Sequence, residues 1–322
     1  MLCGYMRSGT HWNFEIISML LNGIVETIPH RKESLHLEQA SQDKLDHFPS
    51  PRVLSSHLLF ENLPREILDR KTKIVYLIRD PRDALSSWYT CIKKINLSYN
   101  EQWNITLPDW LELSTSGKLE WGSWFENIAS WERALQEHPD HPILLVFYEE
   151  LMQEPLKEIT RIKDFLGLPR DEHFCKRVVE KTKFEKMKND KEKYTERFAG
   201  NAVHYHKAVI GNWRTMFTVA LSEWFDDLYE EQMAESIFRK RDCRAFDMTK
   251  ALVGNHFDSN MTYYLLAVEN VLDRQEKDVY ETGINHSDID VIGKSVYNVE
   301  RDYVEKQIIL MSSGQVSLCK AN

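Results

Sequence analysis

The chain has 322 residues, a formal net charge of −9 and 42% hydrophobic residues, which suits one large globular domain or a domain with an appendage. The acidic balance argues against a nucleic-acid-binding protein, so basic residues are expected to act locally. Five scattered cysteines without a CxxC pair favour a reducing compartment and argue against a zinc site. No stretch approaches the roughly 20 apolar residues of a membrane span, and no signal-peptide pattern opens the chain. We therefore predict a cytoplasmic protein with no membrane partner.

Short apolar runs alternate with helical patterns along the chain, as in a parallel sheet with crossover helices. A helix is predicted from about Thr10, with Gly23 as its C-cap. Strands are predicted for RVLSSH (52–57), KIVYLIRD (73–80) and ILLVFYEE (143–150). The segment EPLKEITRIKDFLGLP predicts a further helix that ends before a glycine and a proline. This order predicts an α/β fold whose ligands bind at the carboxyl edge of the sheet.

The stretch YMRSGTHW (5–12) predicts an anion-binding turn at the first strand–helix junction. Backbone N–H groups of Ser8, Gly9 and Thr10 precede a helix N-terminus and would form an anion cradle. Arg7 adds a permanent cation, and two hydroxyls add donors. The alternative interpretation is plain capping of the helix. Because the pattern GxxxxGK[ST] is absent, a P-loop kinase is disfavoured.

A second anion site is predicted where the strong strand 73–80 ends. Arg79 lies at the end of this strand, and Ser87 lies two turns along the following helix, so both side chains would converge on an anion. The alternative is a structural salt bridge between Arg79 and Asp83 or Glu149.

A histidine and two aromatic residues complete the predicted site. His57 ends the strand 52–57 at the same sheet edge, where it is either a hydrogen-bonded scaffold residue or a general base. Trp12 and Phe184 would sandwich a flat base, unless both are core residues. Together these features predict a nucleotide with more than one phosphate group and an acceptor activated by His57.

Several segments resemble, in the same order, those of the cytosolic sulfotransferases, which transfer a sulfuryl group from 3′-phosphoadenosine 5′-phosphosulfate (PAPS) to a hydroxyl or amine. The resembling segments are YMRSGTHW, PRVLSSH, RDPRDALSSW, VFYEELMQEPLKEITRIKDFLG, KTKFEKMKND and HYHKAVIGNWRTMFTVALSEWFD. The resemblance covers residues 1–245. It implies a P-loop-like three-layer α/β fold, with a central, mainly parallel sheet flanked by helices, and a small hydroxylated or amine acceptor.

The resemblance assigns a role to each matched position. His57 is implied as the general base, and Arg7 as the residue that stabilises charge on the leaving phosphate. The implied nucleotide-binding residues are Arg7, Ser8, Gly9, Thr10, His11, Trp12, Arg79, Ser87, Tyr148, Thr182, Phe184, His206 and Lys207. No metal is required by this scheme.

Some positions near the turn and the base depart from the family pattern. Arg7 replaces a lysine and His11 replaces a threonine. Ser55 replaces a second lysine, two residues before His57, so one cation is missing from the path of the sulfuryl group.

Later departures motivate an alternative function. In the RKG triplet of the family only Lys207 is retained, because His206 and Ala208 replace arginine and glycine. We therefore keep as an alternative a degenerate relative that binds the nucleotide with little or no turnover.

The resemblance also implies a homodimer. The family motif KxxxTVxxxE appears here as Arg214, Thr218, Val219 and Glu223. Residues 92–121 are expected either to roof the acceptor pocket or to form a long surface connection.

The two ends of the chain differ from the family. Family members carry further strands before the YMRSGTHW turn, so the chain resembles an N-terminally truncated member. The sulfotransferase-like domain is predicted to span residues 1–245. The polar, irregularly patterned residues 246–322 predict a peripheral or poorly ordered C-terminal extension.

Overall fold

A computed structural model of the chain describes residues 1–30, 32–98, 104–191, 197–198, 201–202 and 209–239. A four-stranded sheet lies at the centre, formed by β1 (Leu2–Gly4), β2 (Ser55–Ser56), β3 (Ile74–Ile78) and β4 (Ile143–Phe147). The strand order is β2-β1-β3-β4, and every neighbouring pair is parallel. A separate antiparallel pair is formed by β5 (Arg197–Phe198) and β6 (Asn201–Ala202). The parallel central sheet confirms the predicted α/β class.

Helices connect and cover these strands. The α-helices of the described residues are α1 (Thr10–Asn22), α2 (Gln42–His47), α3 (Arg65–Asp69), α4 (Pro81–Ser98), α5 (Leu107–Thr115), α6 (Trp124–Glu137), α7 (Tyr148–Gln153), α8 (Pro155–Leu166), α9 (Glu172–Lys181), α10 (Phe184–Lys191) and α11 (Val219–Gln232). Short 3-10 helices span Lys32–Leu35, Phe60–Asn62 and Asn212–Thr215.

The sheet separates two apolar cores, because successive side chains of a strand point to opposite faces. On one face, Tyr76 of β3 stacks on Trp131 of α6 at 4.3 Å between ring centroids, and Phe225 of α11 joins the same core. On the other face, Val75 of β3 packs in a core with Ile159 of α8. Helices therefore cover both faces, which gives the three layers that the resemblance implied.

Local sequence signals set the ends of several helices. Gly23 and Gly167 follow α1 and α8 with φ of 69° and 73°, a left-handed conformation that glycine adopts without steric cost. The Ser123 hydroxyl accepts the Glu126 N–H while the Glu126 carboxylate accepts the Ser123 N–H, which caps α6. The two glycine ends confirm the boundaries predicted for these helices.

The predicted strands differ in how fully they form. The runs 73–80 and 143–150 contain β3 and β4, and the second run turns into α7 at Tyr148. The run 52–57 contains only the two-residue β2. A parallel bridge between His36 and Ser55 adds a further pairing beside β2.

No helix of the described ranges is long and apolar enough to cross a bilayer. The predicted extension 246–322 lies outside the described residues, so the domain boundary at 245 stays a prediction.

Candidate functional site

A single cavity of ≈ 760 Å³ brings most of the predicted site residues together at the carboxyl ends of the strands. Those that line it are Arg7, Gly9, Thr10, His11, Trp12, His57, Arg79, Ser87, Tyr148, Thr182 and Phe184. Ser8 lies in the turn beside the cavity and is buried. The predicted residues His206 and Lys207, and the departure at Ala208, lie outside the described residues.

The turn between β1 and α1 has the shape of an anion cradle with one donor fewer than predicted. The Ser8 N–H donates to the Tyr5 carbonyl at 3.2 Å, so it closes the turn. The N–H groups of Gly9 and Thr10 stand at the start of α1, where helical N–H groups have no partner within the helix. The buried Ser8 hydroxyl has no partner among the described residues, which adds a donor.

Gly9 is required in this turn for two reasons. Its φ is 94°, and a Cβ at this position would lie 2.8 Å from Cδ2 of Tyr148. A side chain would therefore be strained by the backbone and would collide with the ring. The Tyr148 ring thus packs directly on the backbone of the cradle.

Arg7 and Ser87, which were predicted to serve different anion sites, lie in contact. The Arg7 Nε donates to the Ser87 Oγ at 3.1 Å. Arg7 has a left-handed φ of 65°, which directs its backbone out of the strand before the turn. Arg79 joins the pair, because its Nη1 donates to the Arg7 carbonyl at 2.8 Å. The residues of the two predicted anion sites are therefore connected through Arg7, and the number of anions that they bind stays a prediction.

The Arg79 guanidinium is buried without an acidic partner in the described part of the chain. Asp83, one predicted partner, instead accepts the N–H groups of Gly211 and Trp213 at 2.6 and 3.0 Å. Glu149, the other, accepts a backbone N–H at 3.0 Å. The salt-bridge alternative for Arg79 is therefore wrong.

The remaining contacts of Arg79 leave it able to bind an anion. Its guanidinium lies 4.2 Å from the centroid of the Tyr148 ring, and its Nε is buried with no hydrogen-bond partner among the described residues. Because a buried cation without an ion pair is costly, this geometry is suited to an anionic ligand.

His57 is held in a single orientation beside the cavity. Its ring Nδ1 lies 2.7 Å from the Gly4 carbonyl, so Nδ1 carries the proton and Nε2 keeps the free lone pair. Its backbone N–H donates to Glu38 Oε1 at 2.6 Å. Burial, with the nearby charges of Lys32 and His36, holds the pKa of His57 well below its usual value. The imidazole is therefore neutral near pH 7 and able to accept a proton at Nε2.

Three titratable residues beside His57 were not predicted from the sequence. They are Lys32, His36 and Glu38, which come from the connection between α1 and β2. The His36 ring lies 4.7 Å from the His57 ring between centroids, and its Nδ1 lies 3.0 Å from Glu38 Oε2. Burial raises the pKa of Glu38, but the His36 contact and the His57 N–H outweigh it and lower that pKa overall. The only sequence signal was the dense run of polar residues in KESLHLE.

An apolar wall lies on the side of the cavity next to His57. Its members are Met6, Trp88, Ile92, Ile95, Trp110, Leu119 and Trp121. The Trp121 ring meets the His57 ring edge to face at 5.9 Å. Most of the wall belongs to residues 92–121, which supports the prediction that this stretch roofs an acceptor pocket.

The residues predicted to contact adenine line the same cavity. Trp12 packs edge to face on Tyr148 at 6.0 Å, and Phe184 begins α10 on the same cavity. The Thr182 hydroxyl donates to the Val178 carbonyl at 2.9 Å, so this hydroxyl has only its lone pairs left for a ligand.

The residues of the predicted dimer motif lie on the surface. Arg214, Thr218, Val219 and Glu223 are all exposed, and Val219 is 75% exposed. The Thr218 hydroxyl also caps α11 by accepting the Leu221 N–H at 3.2 Å. Dimer formation stays a prediction.

A parallel sheet with a basic turn, a buried arginine and a buried histidine around one cavity defines an α/β protein with a basic cavity at its sheet edge. Comparison with known proteins narrows this class. The sequence model of the sulfotransferase domain matches residues 1–237, and the chain belongs to the sulfotransferase family.

Relatives and solved structures agree with this assignment. Sulfotransferase 1B1 of Mus musculus is 32% identical over 71% of this chain and 81% of its own length. Sulfotransferase 1C2 of Homo sapiens is 30% identical, with 72% and 82% covered. The crystal structure of mouse sulfotransferase SULT7A1 complexed with PAP has a TM-score of 0.61 at 26% identity, with 77% and 87% covered. Retinol dehydratase, in a complex with retinol and PAP, shares the fold with a TM-score of 0.60 at 22% identity over 73% and 80%.

Proposed function

We propose that this chain is a PAPS-dependent sulfotransferase that modifies a hydroxyl, or an amine, of a small acceptor, with His57 as the general base. The observation that carries the proposal is that a neutral, oriented His57 and an Arg79 without an acidic partner line the same cavity. A base and an anion site in one cavity are the two parts that transfer from an anionic donor requires.

The described residues fit a donor with phosphate groups. The Ser8 hydroxyl and the Arg79 Nε are buried without partners, and the Gly9 turn lacks the Cβ that would fill the cradle. Bound phosphate oxygens would satisfy these donors, as anions do at helix N-termini. Trp12 and Phe184 would flank the base of the nucleotide on the far side of the cavity.

PAPS, when bound, supplies an activated sulfuryl group. The Nε2 of His57 takes the proton of the acceptor hydroxyl while the acceptor oxygen forms its bond to sulfur. Arg7, with the N–H groups of Gly9 and Thr10, would stabilise the negative charge that develops on the leaving phosphate oxygen when the bond to sulfur breaks. The arginine acts by charge alone, because a guanidinium does not give up a proton in proteins.

The wall beside His57 favours an acceptor with a flat apolar body. Indole rings of Trp88, Trp110 and Trp121 form much of this wall, and Trp121 lies against the base itself. A phenol placed against these rings would bring its hydroxyl toward His57, since aromatic rings pack edge to face or offset. We propose small phenols as the first acceptors to assay.

Calorimetric titration with adenosine 3′,5′-bisphosphate (PAP) tests the nucleotide site. We expect micromolar binding by the wild type and a loss of about 10²-fold or more in Arg79→Ala, because a buried charge contact is removed. Arg65→Ala is the matched control, since Arg65 is exposed at the start of α3, and its affinity should stay within twofold.

Turnover of PAPS with 4-nitrophenol or another small phenol separates the two candidate functions. Binding together with turnover supports the enzyme. Binding without turnover of any acceptor in a panel would favour the degenerate nucleotide binder, and a folded protein that binds no PAP would refute both.

A further inference from the structure

Lys32 is a buried cation that faces the cavity. It begins the 3-10 helix Lys32–Leu35, is 5% exposed, and lines the same cavity as His57 and Arg7. Within the ranges that the structure describes, its ammonium makes no hydrogen bond and no ion pair. Buried charges without partners are rare because desolvation is costly. A lysine in this position therefore indicates that an anion completes its surroundings.

The acidic residues nearest to Lys32 are already engaged. Glu33 Oε1 lies 3.3 Å from the His11 ring. Glu38 accepts the His57 N–H and contacts His36. Neither carboxylate pairs with Lys32, although both raise its pKa, and burial outweighs them and lowers that pKa to about 8.

Lys32 lines the cavity together with His57 and with Arg7 of the cradle. Among the neighbouring charges, Lys32 lowers the pKa of His57 most, and Arg7 in turn lowers the pKa of Lys32. The three side chains therefore act on one another in the cavity where, in the proposed reaction, the acceptor hydroxyl meets the leaving phosphate. The group transferred from the leaving phosphate to the acceptor hydroxyl is the sulfuryl group.

We infer that Lys32 is a catalytic residue that binds the oxygens of the sulfuryl group while it moves from donor to acceptor. This inference rests on the proposed function. The ammonium donates hydrogen bonds to the sulfuryl oxygens and gives up no proton, since the acceptor proton goes to His57. Its charge balances the negative charge on the sulfuryl oxygens as one bond to sulfur forms and the other breaks.

This role also compensates for Ser55, which replaces a lysine of the family pattern. Ser55 is fully buried in β2 and does not line the cavity. Lys32 brings a positive charge to the same cavity from the connection that pairs with β2 through His36. The charge on the sulfuryl path is thereby supplied from a different part of the chain.

Two ligands that differ only in the sulfuryl group provide the test. Calorimetry of Lys32→Met should show PAPS affinity weakened about tenfold or more, the cost of a lost hydrogen bond to a charged group. PAP affinity should stay within twofold, because PAP lacks the sulfuryl group. Lys183→Met is the control, since Lys183 also lines the cavity but pairs with Glu180 at 2.6 Å.

The pH dependence of the same titrations gives a second readout. The charged and titratable groups around Lys32 are Arg7, Glu33, His36, Glu38 and His57. As pH rises through about 8, Lys32 loses its charge, so PAPS affinity of the wild type should fall while PAP affinity does not. Lys32→Arg keeps its charge throughout this range and should lose this selective fall. If Lys32→Met does not fold, the pH titrations of Lys32→Arg still test the role of Lys32.

The outcomes distinguish a failure of the role of Lys32 from a failure of the proposed function. Equal changes for PAPS and PAP in Lys32→Met, no change for either, or the same fall above pH 8 in Lys32→Arg, would overturn the role of Lys32. If the wild type binds neither ligand, the proposed function fails instead, and the role of Lys32 falls with it.

Discussion

The two ends of the cavity are built on different physical principles. The donor end, around Gly9 and Arg79, uses backbone N–H groups and a buried guanidinium whose positions are set by the strand–helix turn and by a stack on Tyr148. The acceptor end uses indole and aliphatic side chains from α4, α5 and the following loop. We therefore expect the donor end to recognise a fixed charge pattern and the acceptor end to recognise shape and apolar area.

This difference predicts how each end responds to change. Removing one buried polar group at the donor end leaves other charged groups unsatisfied, so a single substitution has a large effect. Several side chains of the acceptor end share the contact area with the acceptor. Removing one ring therefore loses only part of that area and has a smaller effect than a substitution at the donor end. His57, the proposed base, should matter to chemistry alone.

The largest effect is expected from His57→Ala, which removes the proposed base. Turnover of PAPS with a phenol should fall about 10²–10⁴-fold, while calorimetric PAP affinity stays within twofold because the donor end is untouched. His141→Ala is the control, since His141 is also buried but bonds the Thr72 carbonyl at 3.0 Å and does not line the cavity. Turnover of His57→Ala within a few-fold of wild type would remove His57 from the mechanism.

A smaller effect, confined to the donor end, is expected from Gly9→Ala. The new Cβ would press on Tyr148 at a φ of 94°, so PAP affinity should fall about tenfold or more and stability by about 1–3 kcal/mol. Calorimetry and thermal unfolding measure the two effects.

Gly167→Ala is the matched control for this strain. Gly167 has a similar φ of 73°, but the nearest atom to its added Cβ is Lys73 Nζ at 3.6 Å. It should lose stability without losing PAP affinity. Equal PAP affinity in Gly9→Ala and wild type would show that the turn does not hold the nucleotide.

The smallest effect is expected from Trp121→Leu at the acceptor end. The KM for 4-nitrophenol should rise several-fold, in line with the modest value of one aromatic contact, and PAP affinity should not change. The control is Trp224→Leu, which changes an exposed ring on α11. It should leave both the KM for 4-nitrophenol and the PAP affinity unchanged. A loss of PAP affinity in Trp121→Leu would contradict the separation of the two ends.

Sequence patterns predicted the donor end better than the surroundings of the base. Gly9 and Arg79 lie at junctions between a buried strand and a helix, where neighbours in sequence are also neighbours in space. His36 reaches His57, and Lys32 reaches the same cavity, only through the pairing of an irregular connection with β2, which no periodicity encodes. The contact between Arg7 and Ser87 was missed for a related reason, because the path of Arg7 depends on a left-handed backbone at a residue other than glycine.

The pairing of His36 with Ser55 constrains how such a protein can be re-engineered. The Leu37 N–H donates to the Ser55 carbonyl at 2.9 Å, and one oxygen of Glu38 accepts both the Ser56 hydroxyl and the His57 N–H. Lys32, His36 and His57 therefore belong to one structural unit that can be exchanged as a whole. A chimaera that exchanges loops with a homologue should move residues 32–57 as a single cassette, whereas the indoles of the opposite wall can be exchanged one at a time.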